Sequence, residues 1–362
     1  MVLFILSYVM LRFPGVQKMS TDITKNERDI DAVLEQAQTL IAANGPLAAI
    51  DYLMQANRAY SSRRLERELV SMRVAGFRQL ERPPVSWSAE ADNRFDNAPG
   101  LPEISASELS ADALRSGILG KGGLIVRGLL NNDRADEVRE WISKAVYAHD
   151  SQADEHTTIP AEDAAWYKRS PEVEGSLVKY DRSVWAVDSP PAAFGLATIY
   201  RDLGLREILQ EYFGEPAMLS VRKWVMRCVP PNNGGESGWH QDGRFMGQNI
   251  RTVNLWLSLT DCGEGAEAPG IDIVADNSRK IYPTGTHNAP FDWTVGQGLV
   301  DEIAGHYPVQ RPRFAPGDAV FFDHFNLHRT GFGTVDKHHR YAVESWFFAA
   351  SLAPEAQQPL LF

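Results

Sequence analysis

The sequence predicts an α+β protein in which a small helical unit precedes a β-rich domain arranged as an antiparallel sandwich or barrel. Residues 25–80 place apolar side chains at helical spacing, whereas from about residue 218 the pattern turns to alternation and to continuous apolar runs bounded by Pro, Gly and Asp. No helix-period segment separates the later runs, which argues against a doubly wound parallel sheet. Between the two regions, residues 81–104 hold Pro83, Pro84, Pro99, Gly100 and Pro102 among polar residues and read as a linker.

In the helical segment, Ile30, Val33, Leu34, Ala37, Leu40 and Ile41 share one face, and Asn44-Gly45-Pro46 ends that helix. Pro46 suits the first position of a second helix carrying Leu47, Ile50, Leu53 and Met54, and a third starts near Ser62 with Leu65, Leu69, Met72 and Phe77 on its apolar side. No second copy recurs at a fixed period, so a solenoid is not expected and the segment reads as packing or oligomerisation material. The expected organisation is residues 1–24 as an extension, 25–80 helical, 81–104 linker, 105–350 as the β-rich domain and 351–362 as a tail.

A helix near 108–117, a glycine-rich turn, a strand at Leu124–Val126 and a helix at about 133–148 open the larger domain. The turn Gly117-Ile118-Leu119-Gly120-Lys121-Gly122-Gly123 is not a phosphate loop, because no Ser or Thr follows the lysine and a strand, not a helix, comes next. Strands are expected at 219–229, 251–259, 271–275, 318–323 and 341–349, with residues 276–310 as a long connection of the kind that covers sites.

Composition narrows the function. The 362 residues are 44% hydrophobic with a net charge of −11, and no run of Lys or Arg exceeds Arg63-Arg64, so nucleic acid is not an expected partner. Two cysteines, Cys228 and Cys262, without a CxxC pattern fit a reducing, cytoplasmic setting. The apolar stretch Val2 to Phe13 is twelve residues long, short of the ~20 that a spanning helix needs, and it lacks the flanks of a signal peptide. Membrane attachment is therefore not expected, and two readings of residues 1–18 stand: a docked helix, or an extension preceding a start at Met19.

The chemistry is expected from two clusters. Trp239-His240-Gln241-Asp242-Gly243 follows a flexible Pro230–Gly238 loop, and in an extended segment His240 and Asp242 would point to one side. The second cluster is a turn and buried strand, Ala315-Pro316-Gly317-Asp318-Ala319-Val320-Phe321-Phe322, running into Asp323-His324-Phe325-Asn326-Leu327-His328-Arg329-Thr330-Gly331. Two His and one carboxylate on a β scaffold form the facial triad suited to non-haem Fe(II), with three positions left open. A 2-oxo acid fills two of these and O2 the third. Arg340, opening the next strand, suits a bidentate pair with the far carboxylate of a dicarboxylate, and the Thr330 hydroxyl suits the same group.

These blocks, WHQD at 239–242 and PGDAVFFDHFNLHRTG at 316–331 with an arginine twelve residues beyond His328, resemble the phytanoyl-CoA dioxygenase family of Fe(II)/2-oxoglutarate-dependent oxygenases over about residues 105–350. The resemblance implies a double-stranded β-helix (jelly roll) with flanking helices. It implies His240, Asp242 and His328 as metal ligands and catalytic residues, and Arg340 with Thr330 as the 2-oxoglutarate site. Lys179 is the candidate for the upstream cosubstrate lysine that members often carry. The H-R-T-G setting favours His328 over His324 as the distal ligand, while His287, His338 and His339 read as solvated. Where relatives have a P-G-[ST]-H segment, this chain has Ile273-Val274-Ala275-Asp276-Asn277-Ser278-Arg279, so an acyl-CoA substrate does not follow from the resemblance.

In Arg251–Leu259, the Val253, Leu255, Leu257 and Leu259 face should pack on helices, leaving Asn254 and Trp256 toward the interior and Asn254 as a cosubstrate donor. With Arg340 inward, Glu344 is inward too and needs a basic partner. The expected function is a dioxygenase that hydroxylates a small molecule with formation of succinate and CO2. Two rivals stand beside it: a non-catalytic β-barrel scaffold, and a cupin-like metal isomerase that uses no 2-oxo acid.

Overall fold

A computed structural model describes residues 14–153, 157–175, 182–231, 238–334 and 336–362. The described residues fall into two compact units, divided between Leu65 and Glu66. In the first, α1 (Pro14–Asn44) and α2 (Pro46–Tyr60) are divided at Gly45, with Pro46 at the start of α2 as its fixed φ favours. Of the predicted apolar faces, Ile30, Val33 and Ala37 of α1 and Ile50, Leu53 and Met54 of α2 are buried, Leu34, Leu40, Ile41 and Leu47 are half-buried, and Ala49 joins the buried set. The unit boundary falls within α3 (Arg63–Phe77), short of the limit at residue 80 drawn from the sequence pattern.

The second unit is a mixed α/β structure with one large sheet, one small sheet and flanking helices. Its strands are β1 (Glu103–Ser105), β2 (Leu124–Arg127), β3 (Val184–Trp185), β4 (Ala217–Val229), β5 (Thr252–Ser258), β6 (Gly270–Val274), β7 (Val309–Gln310), β8 (Ala319–Phe322), β9 (His328–Gly331), β10 (Arg340–Ala349) and β11 (Pro359–Leu361). Eight of them form a sheet ordered β1-β2-β8-β5-β10-β4-β11 with β3 beside β4, and β7-β6-β9 form the other. Among the described residues, every strand pairing apart from the parallel β1–β2 pair is antiparallel.

The five strands expected from the sequence are β4, β5, β6, β8 and β10, displaced by at most two residues at their ends. β1 covers the end of the stretch read as linker, and β11, in the stretch read as a tail, adds to the large sheet by pairing with β4. Helices α4 (Ala111–Lys121), α5 (Asn132–Gln152), α7 (Pro190–Asp202) and α8 (Leu205–Phe213) share one apolar cluster with the outer face of the large sheet, in which Leu114, Ile142, Leu196 and Leu209 join Val253, Leu255 and Leu257. A single turn, α6 (Ala161–Ala164), lies between α5 and α7. The glycine-rich turn is the end of α4, where Gly122 adopts the left-handed conformation (φ 83°) that closes a helix before β2.

Every residue of β5 is buried, so both faces of this central strand are covered. Its second face looks toward the small sheet, and the candidate site lies there. Among the described residues no helix is long and apolar enough to cross a membrane.

Candidate metal centre

Backbone pairing brings the two histidines together. His240 N–H donates to His328 O at 2.9 Å and His328 N–H donates to His240 O at 3.0 Å, so the residues face each other across one antiparallel bridge. Asp242 arrives differently from the extended geometry expected of it. It is helical (φ −64°, ψ −25°) at the start of the short α9 (Gly243–Met246), so its carboxylate converges through a strand-to-helix turn. Gly243 is needed next, because a Cβ there would stand 2.9 Å from His324 O and 2.7 Å from Ile281 Cδ1.

One ligand atom from each of His240, Asp242 and His328 lies within 4.8 Å of the others. The ring nitrogens are oriented from behind. His240 Nδ1 lies 3.0 Å from Gly238 O and His328 Nδ1 lies 3.2 Å from Asn326 O. A carbonyl only accepts, so each Nδ1 carries the proton and each Nε2 presents its lone pair. Burial pushes the His328 pKa down to about 4, which keeps the imidazole in its ligating form.

Asp242 is 1% exposed, and its Oδ2 has no hydrogen-bond partner, lying 3.6 Å from His328 Nε2. Its other oxygen accepts from Lys223 Nζ at 2.5 Å. Burial opposes the charge, yet the Lys223 ammonium beside it holds the carboxyl below the ordinary carboxylate range. An orphaned, ionised oxygen facing two unprotonated imidazole nitrogens fits one divalent cation with open positions.

A cavity of about 160 Å³ adjoins these ligands, lined by Lys223, Arg227, Asn254, Trp256, Thr330, Arg340 and Glu344 among others. Arg340 is buried, donates to Gly270 O at 2.6 Å and lies over the Trp256 ring at 5.5 Å. Thr330 follows His328 by two residues on β9 and so shares its face. Asn254 is 1% exposed with an unpartnered Oδ1. Lys179 lies outside the described residues.

His324 is kept from the cluster by its own bonds, with Nδ1 at 2.9 Å from Thr252 Oγ1 and Nε2 donating to Gln248 O at 3.2 Å. His287 and His338 are exposed. The partner expected for Glu344 is Arg227, whose Nε donates to Oε2 at 2.7 Å, while Trp346 Nε1 donates to Oε1 at 3.0 Å. Lys223 and Arg227 were not singled out in the sequence. Their signal was present, since two charges at i and i+4 of an apolar strand fall on one face.

The connection after β6 is held at both sides of His240. Gln241 Nε2 donates to Lys280 O at 2.7 Å and to Phe325 O at 2.5 Å, and its Oε1 accepts from Tyr282 N–H at 2.7 Å. Trp239 forms an antiparallel bridge with Val295, and its Nε1 donates to Gln297 Oε1 at 3.2 Å.

The family model for phytanoyl-CoA dioxygenase (PhyH) matches residues 119–332, more than half of the chain. Similar solved structures include EctD from S. alaskensis with 2-oxoglutarate and 5-hydroxyectoine, at 17% identity and a TM-score of 0.45, covering 75% of this chain and 84% of that one. The non-heme alpha ketoglutarate dependent carbocyclase SnoK from nogalamycin biosynthesis is 15% identical with a TM-score of 0.44, over 68% of this chain and 86% of its own. AviO1 from Streptomyces viridochromogenes Tue57 is 15% identical with a TM-score of 0.40, over 65% and 92% respectively. No curated protein matches the chain significantly. The family match, over the span that holds His240, Asp242 and His328, makes the chain a member of the phytanoyl-CoA dioxygenase family of Fe(II)/2-oxoglutarate-dependent oxygenases.

Proposed function

We propose that the protein is an Fe(II)- and 2-oxoglutarate-dependent dioxygenase that hydroxylates a small-molecule substrate, with residues 105–350 as its catalytic segment and the two sheets as the halves of a distorted double-stranded β-helix. The observation that carries the reading is the buried, partnerless Asp242 Oδ2 facing two histidines whose Nδ1 protons are already committed to carbonyls. Iron held there supplies O2 activation coupled to decarboxylation of 2-oxoglutarate to succinate and CO2.

The chain's own part is positional. His240, Asp242 and His328 hold the metal from one side. Arg340, planar and buried at the cavity wall, binds the far carboxylate of 2-oxoglutarate, with the Thr330 hydroxyl beside it. Asn254, at the same cavity wall, lends its side-chain N–H to an oxygen of that molecule. Lys223 holds the outer oxygen of Asp242, leaving the inner one for the metal.

The test needs no substrate. Fe(II) followed by 2-oxoglutarate, added without oxygen, is expected to give the weak visible charge-transfer band of a chelated 2-oxo acid, saturating in wild type and much weaker in Arg340→Ala. Iron binding without a band would favour the metal isomerase instead. Absence of iron binding would favour the scaffold.

A further inference from the structure

We propose that the substrate of this site carries a flat, unsaturated ring system, and that Trp293 and Phe245 receive it. The inference rests on the dioxygenase reading and goes beyond it by naming a substrate class. Six large apolar side chains are notably exposed among the described residues, and three of them, Phe245 (49%), Phe291 (46%) and Trp293 (41%), adjoin one another beside the metal ligand His240. Trp293 and Phe245 approach the His240 ring to 6.0 and 6.4 Å between centroids. Exposed aromatic surface that touches a ligand of the metal centre is placed to hold what reacts there.

The shelf is fixed rather than draped. Its chain is held on one side by Gln241 and on the other by the Trp239–Val295 bridge, and Phe291 O accepts from Thr294 Oγ1 at 2.8 Å. Its shape suits a plate. Phe291 stacks on Trp293 at 5.5 Å with 5° between planes, a pair that a further flat ring prolongs, while Phe245 stands beside Trp293 at 5.9 Å, tilted by 57°, as a side wall.

Volume gives a separate argument. The inner cavity, about 160 Å³, is bordered by charged and polar groups and is small beside the roughly 300–1,000 Å³ that encloses a drug-sized ligand. With a five-carbon dicarboxylate inside, the body of a substrate has to lie outside, and the aromatic shelf is the apolar surface there.

The experiment compares 2-naphthol with its saturated counterpart decahydro-2-naphthol by equilibrium dialysis against the full chain loaded with Mn(II) and 2-oxoglutarate under nitrogen. Wild type is expected to prefer the flat ring about tenfold, the scale of an aromatic stacking contact. Trp293→Leu and Phe245→Leu should each bring the preference close to unity with 2-oxoglutarate affinity unchanged, while Trp293→Phe keeps most of it. No naphthol binding, equal binding of the two probes, or a preference that survives both leucine variants overturns the inference. Failure of wild type to bind 2-oxoglutarate in the same dialysis would overturn the site reading itself, and so the two failures are told apart.

Discussion

Lys223 Nζ lies 2.5 Å from Asp242 Oδ1, so a cation of β4 is already bonded to the carboxylate that the site offers to a metal. The lysine side chain retains 24% exposure, while the aspartate is buried. Removing one partner of a buried pair leaves an uncompensated charge. Lys223→Met is therefore expected to destabilise the metal-free protein by about 3 kcal/mol, at the low end for such pairs because the lysine is not fully buried. Added Mn(II) should raise the melting temperature more in the variant than in wild type, since the metal then supplies the missing counter-charge. Calorimetry with and without metal checks both; an unchanged apo melting temperature refutes the pairing.

Arg227 and Glu344 make the second pair in the cavity wall. Burial raises the Glu344 pKa, but Arg227 and then Lys223 outweigh it and leave the carboxyl below its ordinary range. A depressed carboxylate contributes stability above the unfolded-state pKa and loses it as pH falls through the folded-state value. Arg227→Met should thus cost stability at neutral pH, and the gap from wild type should close as pH drops below the ordinary carboxylate range. Urea midpoints at pH 7.5 and pH 3.5 measure that closure.

His324 behaves in the opposite sense to a salt-bridged histidine. Its Nδ1 accepts from Thr252 and its Nε2 donates to Gln248 O, an arrangement only the neutral ring allows, and burial pushes its pKa from 6.5 down to about 4. As pH falls the unfolded chain takes up this proton first, so the stabilisation is full above pH 6.5 and is lost progressively toward pH 4. The shift is equivalent to about 3 kcal/mol. The stability difference between wild type and His324→Gln should shrink by that order between pH 7.5 and pH 4, whereas a constant difference would show that the ring does not titrate in this way.

Gln241 stands between two ligands without joining them. Its amide satisfies Lys280 O, Phe325 O and Tyr282 N–H at once, tying the long connection to the ligand loops. Gln241→Ala should leave those buried groups unmet, cost about 1–3 kcal/mol, and expose residues 283–294 to faster limited proteolysis. Unaltered cleavage would mean that the connection is held elsewhere.

The proposed ligand cluster was legible because ligand chemistry restricts residue type, and His240, Asp242 and His328 stand in two blocks with few alternatives. Alternation in β5 likewise assigned Asn254 and Trp256 to the interior, since a strand buried on both faces still alternates direction. The route of Asp242 to the site was not legible: a pleat and a helical turn both bring i and i+2 near one point, and the choice depends on how Gly243 meets His324. Lys223 escaped notice because its meaning comes from a partner on another element. β9 was read as a motif and not as a strand, its four residues being too short and polar to show alternation.

The mutual bridge between His240 and His328 has a consequence for how the centre breathes. Each amide is hidden behind the other's carbonyl, so neither proton can reach solvent until the two segments part. Their deuterium uptake should be nearly simultaneous, and it should time the opening of the metal-binding geometry before any metal is added.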